Sequence, residues 1–290
     1  MQKQYPVEYF QSIAVSNPEL HWFAIADSAQ DITLPEALKR PSRSLFDAEP
    51  GSPLAKKSPH LVELSSPVEG GPCWRWISRY DGVTPSITIL ASKLSFSPLF
   101  SRLKECAEVI LPDGETMFFA FWDPAVLGTL VGQEDDFTLH VPGPVLTLGQ
   151  QANLSEIITT WWYWDRAGIF HTIALPRQLP EAARAPFHLD QAQVDSLVEA
   201  SLPDHLLYFV RLNQPHLLDA IPELQQYRIV CAALQSARSI GLEQMRDLVN
   251  YVCLMLFYKD EMLQDQVILV LLDRVRNKEI SFDEAMQLFP

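Results

Sequence analysis

Between Glu115 and Leu130 the chain reads ETMFFAFWDPAVLGTL, and this stretch restricts the possible folds more than any other. Met117 to Trp122 is an apolar, aromatic-rich run of the kind that suits a buried central strand. Asp123 follows, a preferred N-cap because its carboxylate accepts a backbone N–H of the first helical turn. Pro124 fits the first helical position, where its missing N–H costs nothing. The prediction is a strand, a one-residue corner and a helix from Pro124 to about Thr129. Upstream, Pro112-Asp113-Gly114 is a turn signal. A strand that feeds a helix through so short a corner makes one βα unit.

Similar units precede it. A short helix is predicted at Val7–Val15. Trp22–Ala26 (WFAIA) reads as a strand closed by Asp27, and Thr33-x-x-Glu36 as a capping box for a helix. Ser44–Phe46 is a second short strand or docked segment, and Leu61–Leu64 (LVEL) another strand. Cys73–Tyr80 reads as a short helix, and Ile87–Ala91 (ITILA) as a β-branched strand. Ser97-Pro98 repeats the Asp123-Pro124 device before a helix carrying Leu99, Phe100, Leu103 and Cys106. Alternation of this kind argues for a sheet with helices packed on it. Phe137–Val141 and Val145–Leu148 suit a hairpin or edge strands.

Residues 150–186 read as a transition. It holds the aromatic cluster WWYW at 161–164 and an apolar run, Ile169–Leu175, suited to pairing with it. The Pro/Ala-rich segment 175–187 is the best linker candidate. Helical patterns follow, opening at Asp190, Pro203 and Pro222. Gly241 stops the third, and 243–258 carries apolar residues at i, i+3, i+4, i+7 spacing. VILVLL (267–272) marks a fifth helix, and Ser281-x-x-Glu284 caps a last one. The fold class is therefore an α/β N-terminal domain followed by an all-α C-terminal domain. The boundaries are 1–150, a transition and linker at 151–187, and 188–290.

Charge bounds the partners. The 290 residues hold 22 Lys+Arg against 36 Asp+Glu, a formal net charge of -14. Such a chain is repelled by phosphate backbones and anionic lipid surfaces, so neither nucleic acid nor membrane is expected as a partner. The apolar run VILVLL (267–272) is six residues, too short to cross a membrane. The start, MQKQYPVEYF, lacks a signal-peptide core. The four cysteines form no CxxC pair and read as reduced thiols of a cytoplasmic protein.

Signals for chemistry are sparse. No GxSxG, Walker loop, HExxH or GxGxxG is present. Asp27 and Asp123 both end apolar strands, where α/β enzymes place carboxylates. They would bind a metal or share acid–base work in a small hydrolase or phosphotransferase, or else each caps the helix after its own strand. The seven His are scattered without ligand spacing, so no zinc site and no cofactor are expected. Trp161, Trp162 and Trp164 are either core or a hot-spot surface for a partner. Leu254 and Phe257 lie in YVCLMLFY (251–258), a stretch apolar nearly all round, which is either a central core helix or a groove for a partner helix.

Three stretches taken together carry a resemblance: HWFAIADSAQ (21–30), SLFDAEPGSPLAKKSPHLVELS (44–65) and SPLFSRLKECAEVILPDGETMFFAFWDPAVLGTLVG (97–132). In this order and spacing they resemble the adaptor, or effector-chaperone, family of bacterial type VI secretion clusters. The matching positions are Asp27, Pro59-His60-Leu61-Val62 and Asp123-Pro124. Ala120 and Ala125 stand where that family often has Arg. The resemblance implies no catalysis. It implies binding of a secreted toxin effector and help in loading it onto the VgrG spike protein. An immunity protein that blocks a toxin is the other binding reading.

Overall fold

In a computed structural model of the chain, residues 7–80, 82, 84–176, 183–259 and 264–290 are described. The chain divides into two compact units, residues 1–200 and 201–290.

The first unit opens with helix α1 (Val7–Ser16), as its pattern predicts, and strand β1 (His21–Asp27). A single 3-10 turn at Glu36–Leu38 follows. The predicted capping box there does not form. Thr33 instead bonds the Asp31 carboxylate through both its N–H and its hydroxyl, and no side chain caps the turn. The chain continues through β2 (Ser42–Ser44), β3 (Pro59–Glu63), α2 (Pro72–Ile77) and β4 (Ile87–Ser92). Helix α3 (Phe96–Cys106) starts two residues before the Ser97-Pro98 signal, with Ser95 at its N-cap. Next come β5 (Glu108–Ile110), β6 (Thr116–Phe118), α4 (Pro124–Val131), α5 (Leu148–Ile157), β7 (Thr160–Trp164), β8 (Phe170–Ile173) and β9 (Phe187–His188).

Among the described residues, six of these strands form one sheet in the order β2-β3-β1-β4-β7-β8, and every neighbouring pair is antiparallel. β8 pairs with β7 as its apolar run predicts. Helices cover both faces, so the central strands are buried on both sides: every residue of β4 and all of β1 after His21. Alternation then divides each strand between two cores. Phe23, Ile25, Leu90, Trp161 and Tyr163 pack with Leu99, Leu103, Leu127 and Leu154 of α3, α4 and α5. Trp22, Ala24, Ile89, Trp162 and Trp164 pack with Phe10 of α1 and Cys73, Trp74 and Ile77 of α2. Trp162 stacks on Trp22 with ring centroids 5.6 Å apart, and Phe10 meets it edge-on at 5.1 Å.

Two further expectations in this unit are corrected. Met117–Trp122 is not a central strand. Only Thr116–Phe118 is extended, in a small sheet ordered β6-β5-β9, and all three of those residues are exposed. Phe119, Phe121 and Trp122 are buried beyond the strand's end, so the apolar run fills a core without joining the main sheet. Nor do Phe137–Val141 and Val145–Leu148 form strands; a loop leads straight into α5. That helix shows little amphipathic pattern. It is held by a capping box between Thr147 and Gln150 and by buried amides. Gln151 Nε2 donates to Leu146 O, and Gln193 Nε2 to Val145 O and Gln150 Oε1.

Helix α6 (Gln191–Asn213) runs without a break through Pro203, where the sequence suggests a new helix. Asp190 accepts from Gln193 N–H at its start. The linker expectation at 175–187 falls partly on residues 177–182, outside the described residues. The second unit is helical, with α7 (Glu223–Ser239), α8 (Met245–Tyr258), α9 (Gln266–Arg276) and α10 (Phe282–Met286). Its core joins Leu206, Val230, Leu234, Val252, Ile268 and Phe282. The predicted Ser281–Glu284 capping box is present. The class is as read from the sequence: an α/β part followed by an all-α part.

Candidate functional site

The three motif stretches, up to about a hundred residues apart, fold to one place. β1 and β3 are antiparallel neighbours with Asp27 opposite Pro59 and Ala26 opposite His60. β2 lies on the other side of β3 with Ser44 opposite His60. The end of β1 and the beginning of β3 therefore meet at one end of the sheet. The third stretch reaches the same end through Trp122, whose Nε1–H donates to Asp27 Oδ2 at 3.3 Å.

Each motif residue has a defined local partner. Asp27 turns the chain out of β1, its Oδ1 accepting from Ala29 N–H at 2.9 Å. It is only 8% exposed, so this turn and the indole bond replace its lost water. His60 Nδ1 lies 2.9 Å from Ser58 O. A carbonyl only accepts, so Nδ1 carries the proton and the neutral ring keeps its lone pair on Nε2. The Ser28 hydroxyl lies 3.3 Å from the same nitrogen. Burial pushes the His60 pKa below its ordinary 6.5, against the opposing pull of the Ser58 carbonyl and Asp27. Ser44 and Ser58 hydroxyls meet at 2.8 Å, and Ser44 Oγ accepts from Phe46 N–H.

Asp123 is the predicted N-cap. Its carboxylate accepts from Ala125 N–H at 2.9 Å, with Pro124 in the first helical position. Asp27 and Asp123 are thus each engaged in a turn or cap of their own segment. Chemically the cluster is a buried, hydrogen-bonded junction that fixes three segments.

Beside it lies an apolar lip that the sequence reading did not single out. Phe118 of β6 meets Phe46 edge-on, with centroids 4.1 Å apart, and its ring also lies 5.5 Å from that of Trp122. Phe118 and its neighbour Met117 nevertheless remain substantially exposed. The apolar run containing them was the signal, but it reads as core when every residue in it is assigned to one strand.

The proposed partner surfaces fare differently. Trp161, Trp162 and Trp164 are interior, none more than 4% exposed. Side chains on a strand alternate between faces, and helices cover both faces here, so none is available as a surface. Leu254 is buried as well, whereas Phe257, three residues on along α8, is 64% exposed. No helix among the described residues is long and apolar enough to cross a membrane. The four cysteines are free thiols; Cys106 is buried, which pushes its pKa up to about 12.

No curated protein matches the chain, and no solved structure does. Residues 22–138 are similar to a family model described as a domain of unknown function, DUF4123, a match that takes in Asp27, Pro59, His60, Asp123 and Pro124.

Proposed function

We propose that the chain is a non-catalytic adaptor that binds a secreted toxin effector in the cytoplasm of the producing cell and helps load it onto the VgrG spike of a type VI secretion apparatus. The observation that carries this reading is the convergence of the three resembling stretches on the Asp27–His60–Trp122 junction, within the segment similar to the DUF4123 model. In this reading the junction is a rigid frame. Its polar groups are spent on one another, and it holds the apolar lip of Phe46, Met117 and Phe118 at a fixed angle. A preorganised lip loses little conformational entropy on binding, and aromatic side chains are favoured at the centres of interfaces.

Ala120 and Ala125 stand where the resembling family often has Arg, so the stretch that carries Phe118 has fewer cations, which fits a client recognised mainly by apolar contact. The test is co-expression of the chain with the large proteins encoded beside it, followed by mass measurement of the complex. The reading requires a stoichiometric complex with a toxin-like protein that survives moderate salt and leaves the toxin active. A complex that neutralises the toxin instead identifies an immunity protein. Absence of any such complex rejects both.

A further inference from the structure

Along its β7–β8 edge the main sheet carries a second cluster, separate from the Asp27–His60 junction. Tyr163 of β7 stands opposite His171 of β8, and their rings stack with centroids 5.2 Å apart. Asp165 lies just beyond β7. Asp135 and Asp136 come from the loop after α4. Asp136, Asp165 and His171 are each at least nine-tenths buried, and each offers a ligand atom within 4.8 Å of the others.

The bonding is specific. His171 Nε2 lies 3.0 Å from Asp165 Oδ2. His171 Nδ1 lies 3.2 Å from Asp135 Oδ1, and Asp135 is largely exposed. Asp165 Oδ1 is occupied by Ala167 and Ile169 N–H groups, which aim Oδ2 at the ring. Asp136 Oδ1 is likewise held by Thr138, and Oδ2 faces the Tyr163 hydroxyl at 2.8 Å.

Three further observations distinguish this cluster from an ordinary polar patch. The donor set is mixed, one imidazole with two inward carboxylates, and a third carboxylate sits on the ring's far nitrogen. This is the outer-shell partner that metal-bound histidines almost always have. The backbone also makes room: a Cβ added at Gly128 of α4 would lie 2.5 Å from the Tyr163 hydroxyl and 3.1 Å from Asp136 Oδ2. Finally, Thr88 stands opposite Tyr163 on β4, and its hydroxyl is buried with no hydrogen-bond partner among the described residues.

We infer that Asp136, Asp165 and His171 form a structural site for a divalent transition-metal ion of borderline hardness, such as Zn2+. His171 Nε2, Asp165 Oδ2 and Asp136 Oδ2 are its ligands, and Asp135 orients the ring. Two ligands of one tetrahedral zinc, each about 2.0–2.1 Å from it, stand roughly 3.4 Å apart, close to the spacing of Nε2 and Asp165 Oδ2. Imidazole with carboxylate suits Zn2+ and its first-row neighbours, whereas Ca2+ and Mg2+ prefer oxygen alone. The ion would pin the 133–138 loop to the β7–β8 edge. The spacing of the His residues gave no hint of this, because the donors are dispersed at 136, 165 and 171 and two of them are Asp.

The test uses the full chain, stripped with a chelator and titrated with Zn2+ by calorimetry and with Co2+ by visible absorption. The expected result is one ion per chain, a Co2+ spectrum of nitrogen and oxygen ligation, and a higher Tm with Zn2+. Asp136→Asn should weaken binding at least tenfold. Asp135→Asn, at an exposed position that the fold should tolerate, should weaken it about tenfold through the outer shell alone. The inference is overturned by any of three results: no stoichiometric binding, affinity equal to the parent's in folded Asp136→Asn and Asp135→Asn, or a thiolate-to-cobalt charge-transfer band, which would place the ion on a cysteine.

Discussion

The indole N–H of Trp122 donates to the carboxylate of Asp27 at 3.3 Å, across 95 residues of chain. Both groups are buried. The bond links the end of β1 to the residue before the α4 cap, so the strand end and the helix start are fixed to each other. Without it, Asp27 Oδ2 would be a buried acceptor cut off from water.

Trp122→Phe keeps most of the ring and removes only the donor. It should destabilise the first unit by about 1–3 kcal/mol, the range for leaving a buried polar group unsatisfied. Asp27→Ala should be similarly costly, and the double variant should cost less than the sum of the two. Urea unfolding followed by tryptophan fluorescence measures the coupling. Strict additivity would show that the two groups do not interact in solution.

His60 makes stability depend on pH in a known direction. Burial lowers its folded-state pKa below the ordinary 6.5. Between those two values the unfolded chain binds a proton that the folded chain resists, so stability falls as pH drops from about 6.5 through the folded value. Above 6.5 the ring is neutral in both states and contributes no slope. His60→Gln should flatten this part of the profile. Unfolding free energy measured from pH 5 to pH 8 in both proteins decides it; an unchanged slope in the variant assigns the dependence to another group.

The aromatic strand offers a contrast within one protein. Trp161 is fully buried and Phe257 is 64% exposed. Trp161→Ala should cost about 3–5 kcal/mol, whereas Phe257→Ala should fall within about 0.5 kcal/mol of zero. Thermal unfolding of the two variants gives the comparison. A mild Trp161→Ala would mean that the sheet relaxes around the hole.

Which features were legible in the sequence follows from how local their causes are. Asp123-Pro124, Asp190, Gly241 and the Ser281–Glu284 box mark helix ends because a cap is decided within four residues. β1, β4 and the β7–β8 pair were legible because continuous apolar runs have few other uses. Met117–Trp122 misled because its apolar character serves two purposes, two exposed strand residues and then a buried, non-strand plug. Helix α5 was hidden because half of its buried side chains are polar, Gln150, Gln151 and Asn153 beside Ala152, Leu154 and Ile157, which erases the apolar stripe. Motif residues Asp27, His60 and Asp123 could be named, but their convergence depends on the β2-β3-β1 order and the indole bond, which are not local properties.

Gly143 should prove intolerant for a reason that neither burial nor charge supplies. Its φ is +74°, and an added Cβ would lie 2.0 Å from the carbonyl oxygen of Thr129. That carbonyl accepts the Val145 N–H, so backbone would have to move on both sides. Gly143→Ala should lower Tm by several degrees or more, well beyond the 0.4–1 kcal/mol scale on which an unstrained Gly→Ala acts. A variant as stable as the parent would mean that this loop sits further from α4.

In the proposed adaptor role, the apolar lip is where the client docks. Phe118 packs against Phe46 and Trp122, yet it and Met117 stay exposed at the end of a short strand. Their removal should therefore cost little stability and much binding. If the lip is the centre of the client contact, Phe118→Ala should weaken the complex by at least about 30-fold, the equivalent of a 2 kcal/mol hot spot. Met117→Ala should weaken it less, since it lacks the aromatic ring. Phe257→Ala, on the second unit, serves as the matched exposed control and should leave affinity unchanged. Calorimetric titration of the client into the three variants reads all of this at once, provided circular dichroism shows each to be folded. If Phe257→Ala alone abolishes binding, the client docks on α8, and the lip beside the Asp27–His60 junction has another use.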